Sequence, residues 1–536
     1  MSVQKHHITK QIFDLTLPKN ADGFEVHKRI SRYFHETIQP ELARLFDRLV
    51  GPEEVVRIDS IVIDLGNIPL EKLASQEVLF RLLHRLEEEI RINTYTLAGK
   101  TNVEKLTLSE DMCDRWLHFL QHGHLPWQNI QSESEWQTRV LEGLVMQTSA
   151  LSQLTRLLKA YPGTLTRLVW QHPDSFLVAL TEIYTGHRQT ELSTVRKELF
   201  RCFQMLSEKK ISDEEMNSTD KPLFSLKAAV AGEFRDFFWR HVLSIVVIEN
   251  RLLPADELLR SFLVQWLLQN SQIEKPELLT PFIQRIDGSA TQALLLDVIK
   301  ELAEDAGHNG TANAEKPVLE IRDDSLKVPE NPPTEETSGD NDPAVSGGQE
   351  KEDILYLQPQ SGPTSDEVKE QEWYVNNAGV VLLHPFLSRL FERCDLTKDG
   401  VFKDDIACAQ AAHLIHFLAT GNTEPPEYEL LFTRVLCDIP LGTPLPKDVG
   451  LSRSSLEEAE YLLEVVIQQW GALGEVSFQS LQDGFLKRPG KLSAKETGWL
   501  LQVEQNTLDI LLDRLPWGLS MIRLPWMKEL LYVEWR

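Results

Sequence analysis

The chain reads as mainly α-helical with small α+β modules: an N-terminal strand–helix–strand–helix unit, a helical middle, a disordered acidic linker and an α+β C-terminal block. Three observations lead there. Apolar residues recur at helical spacing over most of the 536 residues; period-two alternation is confined to the two ends; one acidic stretch is almost free of aromatics. A chain of this length exceeds one ordinary core. The divisions expected are a small α/β module over 1–100, a helical domain over 101–302, the linker over 303–372 and an α+β domain over 373–536.

In the first module, Ile8–Leu17 carries apolar residues at Ile8, Ile12, Leu15 and Leu17, and VVRIDSIVIDLG alternates through Val56, Ile58, Ile61, Ile63 and Leu65. Both predict strands. Between them Asp22 and Glu25 have the spacing of a capping box, followed by Val26, Ile30, Tyr33, Phe34, Ile38, Leu42 and Leu45 on one helical stripe. Pro40 should kink or restart that helix. A second helix carries Val78, Leu79, Leu82, Leu83, Leu86 and Ile90.

From about Leu106 to Leu302 the pattern is helical throughout, broken at prolines and glycines, with no fixed repeat period. The C-terminal block predicts a helix over AQAAHLIHFLATG, stopped by Gly421, and helices near Glu427–Cys437 and Ser454–Trp470. Three strand-like pieces follow around Trp499–Val503, Met521–Leu524 and Leu531–Trp535, paired locally or with the N-terminal sheet.

Charge and composition exclude several classes. The net charge is −26, and residues 303–372 hold 18 acidic against 5 basic side chains, a net −13. That stretch cannot bury enough apolar surface to offset the entropy of ordering, so it predicts disorder, with Ile354–Leu357 as a short binding element. Phosphate recognition needs clustered Lys and Arg, so nucleic acid is not an expected partner. No run approaches the roughly 18 apolar residues of a membrane span. The start, MSVQKHHITKQIF, lacks the apolar core of a signal peptide. Five scattered cysteines without a C-x-x-C fit a reducing cytoplasm.

Chemistry-bearing patterns are sparse. His118, His122 and His124 form H-x3-H-x-H, which could seat zinc, but no Cys or paired carboxylate accompanies them, and polar loop residues are favoured. Asp59 and Asp64, with Glu53 and Glu54, could pair for acid–base work, yet they occupy the water-facing positions of a strand. Cys437 with His413 or His416 would make a thiol–imidazole pair, but Cys437 falls on an apolar helix face and reads as a buried thiol. Gly484–Lys491 is a basic turn that could hold phosphate on its amides, with an ordinary solvated turn favoured. The P-loop, dinucleotide, zincin and serine-hydrolase signatures are absent from the sequence. No enzyme activity, cofactor or metal is expected.

Leu-Pro-Trp occurs three times, at Leu125–Trp127, Leu515–Trp517 and Leu524–Trp526. Proline breaks an element and the adjacent tryptophan anchors its end, so Trp127, Trp517, Trp526 and Trp535 are the candidate packing or interaction anchors.

NAGVVLLHPFLSRLFER, AHLIHFLATG, PEYELLFTRVLC and DRLPWGLSMIRLPWMKELLYVEW resemble the tape measure protein family of contractile injection systems. HHITKQIFDL, RIDSIVIDLG and FLQHGHLPW are similar to further segments of that family. The resemblance implies a non-enzymatic structural component acting in tube length determination or assembly. Its implied partners are tube, baseplate or cap proteins, and a threefold or sixfold tube would imply a homo-oligomer. It implies cytoplasmic assembly, with incorporation in the particle as a further outcome, and it carries over no catalytic residue. A ruler should be a long helix poor in breakers, whereas this chain has 27 prolines. Only the 70-residue acidic stretch could span freely, about 105 Å as helix and roughly 230–250 Å fully extended. A cytoplasmic assembly chaperone that is not itself a ruler is the alternative, with a metal-dependent enzyme built on His118–His124 the remote one.

Overall fold

The computed structural model describes residues 6–8, 11–19, 21–95, 103–126, 132–208, 231–270, 290–308 and 371–535. Trp127, Ile354–Leu357 and nearly all of the expected linker lie outside these residues. Helix dominates, and the larger of the sheets belongs to the C-terminal block. Two compact units emerge: Met1–Leu117 with Ile130–Leu154, and His118–Asn129 with Thr155–Arg536.

In the first unit Asp22 caps the helix Gly23–Tyr33, accepting from the amides of Phe24 and Glu25. A π turn at Phe34–Ile38 then leads into the helix Gln39–Leu49. Pro40 explains the π turn, because its missing N–H cannot continue the regular ladder. Ile38, Leu42 and Leu45 pack against Leu79, Leu86 and Ile90 of the helix Gln76–Tyr95, with Ile58, Ile61 and Ile63 alongside.

The strands of this unit differ from expectation. β1 (Glu54–Ile58) pairs antiparallel with β2 (Val103–Thr107), from Glu54 opposite Thr107 to Ile58 opposite Val103. β2 overlaps the start of the region expected to be helical throughout. The described residues of Ile8–Leu17 lie outside any strand, and the second expected strand stops at Ile58 rather than Leu65. Alternation reports an extended, half-buried backbone, not a ladder partner. Beyond Ile58 side chains take over that role: Arg81 donates to the Leu65 carbonyl, Arg85 to Asp64 and Arg29 to Glu71 at 2.7 Å. Tyr33 Oη donates to the Ser75 carbonyl at 2.9 Å.

In the second unit, helices Pro162–Gln171, Asp174–Thr185, Glu191–Glu208, Ala231–Leu243, Ala255–Asn270 and Ala290–His308 form the helical part. Phe234, Phe238, Phe262 and Trp266 interlock edge to face within it. Asp174 ties three helices, accepting from Arg196 at 2.7 Å, Arg235 at 2.8 Å and the Trp239 indole at 2.9 Å.

The C-terminal part is α+β. Its mixed sheet comprises β3 (Glu372–Val375), β6 (Gly490–Lys495), β7 (Gly498–Val503), β8 (Met521–Ile522) and β9 (Leu530–Glu534), in the order β3-β6-β7-β9-β8. A separate two-stranded ribbon joins β4 (Thr397–Lys398) and β5 (Val401–Phe402). The terminal strands therefore pair locally. β7 and β9 run parallel, so residues 504–529 must cross over between them, and they do so through the 3-10 helix Thr507–Arg514. Sequence alternation does not reveal β3 or β6, the latter lying partly within the expected basic turn. The helix Asp405–Thr420 runs through the core. Asp404 caps its start at 2.7 Å from the Ala407 amide, and Gly421 ends it at φ +74°.

The Ala378–Leu383 turn crosses residues 485–486 so closely that a Cβ at Gly379 would overlap the Phe485 carbonyl oxygen. Gly379→Ala should therefore destabilise the C-terminal part by about 1–3 kcal/mol or more. A fall in the urea midpoint monitored by tryptophan fluorescence would show it, and an unchanged midpoint would contradict the crossing.

Candidate functional site

The most unusual chemistry in the second unit is a carboxylate held between two guanidiniums without solvent. The helix Leu108–His122 ends at Gly123, whose φ of +78° is the left-handed stop that glycine adopts without strain. Arg167, on the helix Pro162–Gln171, donates to the Leu120 carbonyl at that end at 2.6 Å. A cation on a helix C-terminus is favourably placed in the helix dipole. The same guanidinium donates through Nε to Glu427 Oε1 and Oε2 at 3.0 and 2.9 Å, and through Nη2 to the Gly442 carbonyl at 2.9 Å. Arg434 donates to Glu427 Oε1 at 2.9 Å and to the Thr443 carbonyl. Exposure is 0% for Glu427 and Arg434 and 1% for Arg167. Burial pulls the Arg434 pKa below its ordinary value, and Glu427 opposes it.

Neutral contacts surround the charges. Gln171 donates to the Leu445 carbonyl at 2.7 Å and accepts from the Glu427 amide at 2.9 Å. The rings of Phe119 and Tyr428 meet edge to face at 5.5 Å. A Cβ on Gly123 would sit 2.7 Å from Glu427 Oε1 and 2.9 Å from Arg167 Nη2, so only glycine lets the helix end approach the cluster.

The three histidines do come together, with ring centroids 4.4, 5.1 and 5.8 Å apart. They do not make a metal centre. Among the described residues no group of three His, Cys, Asp or Glu side chains is arranged to hold an ion. His124 Nε2, one of its two possible ligand atoms, lies 3.2 Å from the donating Trp373 indole. Burial, reinforced by the neighbouring imidazoles, lowers His118 to about 3; burial, with His122 and the two arginines, lowers His124 to about 4.

Other candidates are not assembled. Glu53 pairs with Arg139, Glu54 with Lys105, and Asp64 caps the Gly66 amide, so no two of these carboxylates face each other as an acid–base pair. The Cys437 thiol is pushed well up by burial, with Cys408 and Asp438 rather than an imidazole as its charged neighbours. His413 Nδ1 lies instead 2.9 Å from its own helix carbonyl, Ala409. In the basic turn Lys487 pairs with Asp483, while Arg488 is buried and spent on Asp509 at 2.7 Å and on the carbonyls of Gly484 and Glu504.

The C-terminal tryptophans point inward. Trp517 is half-buried, donates to the Leu382 carbonyl at 3.0 Å and lies edge-on to Phe386. Trp526 donates to the Leu436 carbonyl at 2.8 Å between Phe391 and Phe402. Trp535 is buried against Arg488, whose guanidinium lies 5.8 Å from its ring.

The family model of the contractile injection system tape measure protein matches residues 5–535. The chain belongs to this family. It is thereby a structural component of a contractile injection system. No curated protein and no solved structure matches it. Among the described residues of this tape measure protein, no helix is long and apolar enough to cross a membrane. The segment FLQHGHLPW, similar to the family's sequence, is where the helix end, Gly123 and the cluster meet.

Two outcomes follow from this geometry. Glu427→Ala should cost about 3–5 kcal/mol, because it leaves two buried guanidiniums uncompensated. A urea titration measures this, and a loss below about 1 kcal/mol would show the charges to be solvated. The second concerns pH. His118, His124 and the fully buried His172, lowered to about 3 chiefly by burial, titrate below 6.5 when folded. The unfolded chain then binds more protons from pH 6.5 down to about 3, so stability is full above 6.5 and falls as pH drops through that window. The urea midpoint should decrease between pH 7.5 and 5, and His124→Gln should flatten the decrease.

Proposed function

We propose that this tape measure family member works as a folded, non-enzymatic assembly factor for the tube, baseplate or cap subunits of the particle, rather than as a stretched ruler. One observation carries the reading. The residues on either side of the 62 residues 309–370, the helix Ala290–His308 and β3, belong to the same compact unit. A segment with both ends on one body can only leave and return. Fully extended, its farthest point lies about 100–110 Å out, half of what a free span of that length would reach. Length determination, which the family's name favours, is the second reading and would require that body to open.

In this reading the parts of the chain on either side of the acidic segment act as one body, and assembly takes place in the cytoplasm. Trp517 and Trp526 hold the ends of the C-terminal segments that shape the surface offered to partner subunits, and Trp127 would anchor the first Leu-Pro-Trp stop in the same way. Deleting 30 residues within 309–370 should leave particle length unchanged by electron microscopy, while removing the gene should abolish or distort particles. Particles shortened in proportion to the deletion would sink the assembly-factor reading and establish the ruler.

A further inference from the structure

Within the second unit, residues 118–129 and 155–308 meet residues 371–536 at an interface built on Glu427. We propose that they form a non-covalent pair that stays joined when the intervening segment, residues 309–370, is cut. This does not depend on the role in particle assembly.

The interface has the anatomy of a protein–protein contact with a preformed centre. On the C-terminal side Arg434 already holds Glu427 at 2.9 Å, so the carboxylate is charge-balanced and positioned before anything docks. Arg167 enters from the N-terminal side, meeting both carboxylate oxygens and the Gly442 carbonyl. A buried arginine at the centre of a contact, ringed by neutral groups that exclude water, is the usual form of a binding hot spot.

That ring is present here. Gln171 is bonded in both directions to residues 427 and 445, Phe119 meets Tyr428, and His124 accepts from Trp373. Pro444 lies against Gly163, close enough that a Cβ there would be 3.2 Å from its ring. The contacts draw on two separate stretches of one part (119–124, 163–171) and three of the other (373, 427–434, 442–445). None involves residues 309–370. A tether adds effective concentration, which a well-made interface does not need once formed.

The test uses the full chain with a specific protease sequence inserted between residues 330 and 345. After complete cleavage, size exclusion with native mass spectrometry at micromolar concentration should return one species of the intact mass, 61.4 kDa plus the insert. Two separate fragments would overturn the proposal. Arg167→Ala in the same background should weaken the cut pair about a hundredfold or more, while the uncut variant elutes as before. If the cut Arg167→Ala pair holds as tightly as the unsubstituted one, the cluster is not what joins the parts. Should Arg167→Ala fail to fold, Gln171→Ala, which removes two hydrogen bonds at the rim, should weaken the cut pair about tenfold. No weakening there would overturn the assignment of this interface.

Discussion

A desolvated carboxylate sets the terms for the second unit. Glu427 is without solvent in the closed interface, where Arg167 and Arg434 together surround its carboxylate. Those two arginines also satisfy backbone carbonyls at the end of one helix and in the 440–445 loop. Three stretches far apart in sequence therefore have one admissible arrangement. Buried ion clusters of this kind stabilise little when compared with a well-packed apolar replacement, and their value lies in specifying which surfaces meet. Gly123 belongs to the same constraint, since any side chain there would occupy the space of the charges.

That specificity bears on what a tape measure protein can be. The family's name suggests a molecule whose extent is its function, whereas the described residues form helical bundles and a mixed sheet over apolar cores. Histidines kept neutral by burial and thiols pushed up by it point the same way, because such environments suppress reactivity.

Much of the helical architecture was legible because its signal is local. The stripe Ile38, Leu42, Leu45 meets Leu79, Leu86, Ile90 as the spacing implied, and Gly421 stops its helix. Strand pairing was less legible. Ile61 and Ile63 alternate and pack inward, yet the backbone just beyond them, at Asp64 and Leu65, is held by arginines from a neighbouring helix, which no alternation can indicate. β6 was hidden because Gly490 and Lys491 read as a turn. The cluster itself left one trace, a charge embedded in apolar runs: Arg167 in LTRLVW and Arg434 in LLFTRVLC. What the trace lacks is the partner, since Arg167 and Glu427 are 260 residues apart. Spacing implied that His118 and His122 share a helix face; His124 joins them in the structure and accepts from Trp373, remote in sequence.

The position of β9 has a consequence for biogenesis. The last of the five strands in chain order is not an edge of its sheet; it lies between β7 and β8. During synthesis β7 exposes an unpaired edge, and β8 has no neighbour, until residues 530–534 have emerged. Local pairing cannot rescue them, because both depend on the same late strand. The C-terminal sheet is thus incomplete until translation has passed β9. A chain stopped before residue 530 would leave β7 and β8 without the strand that joins them.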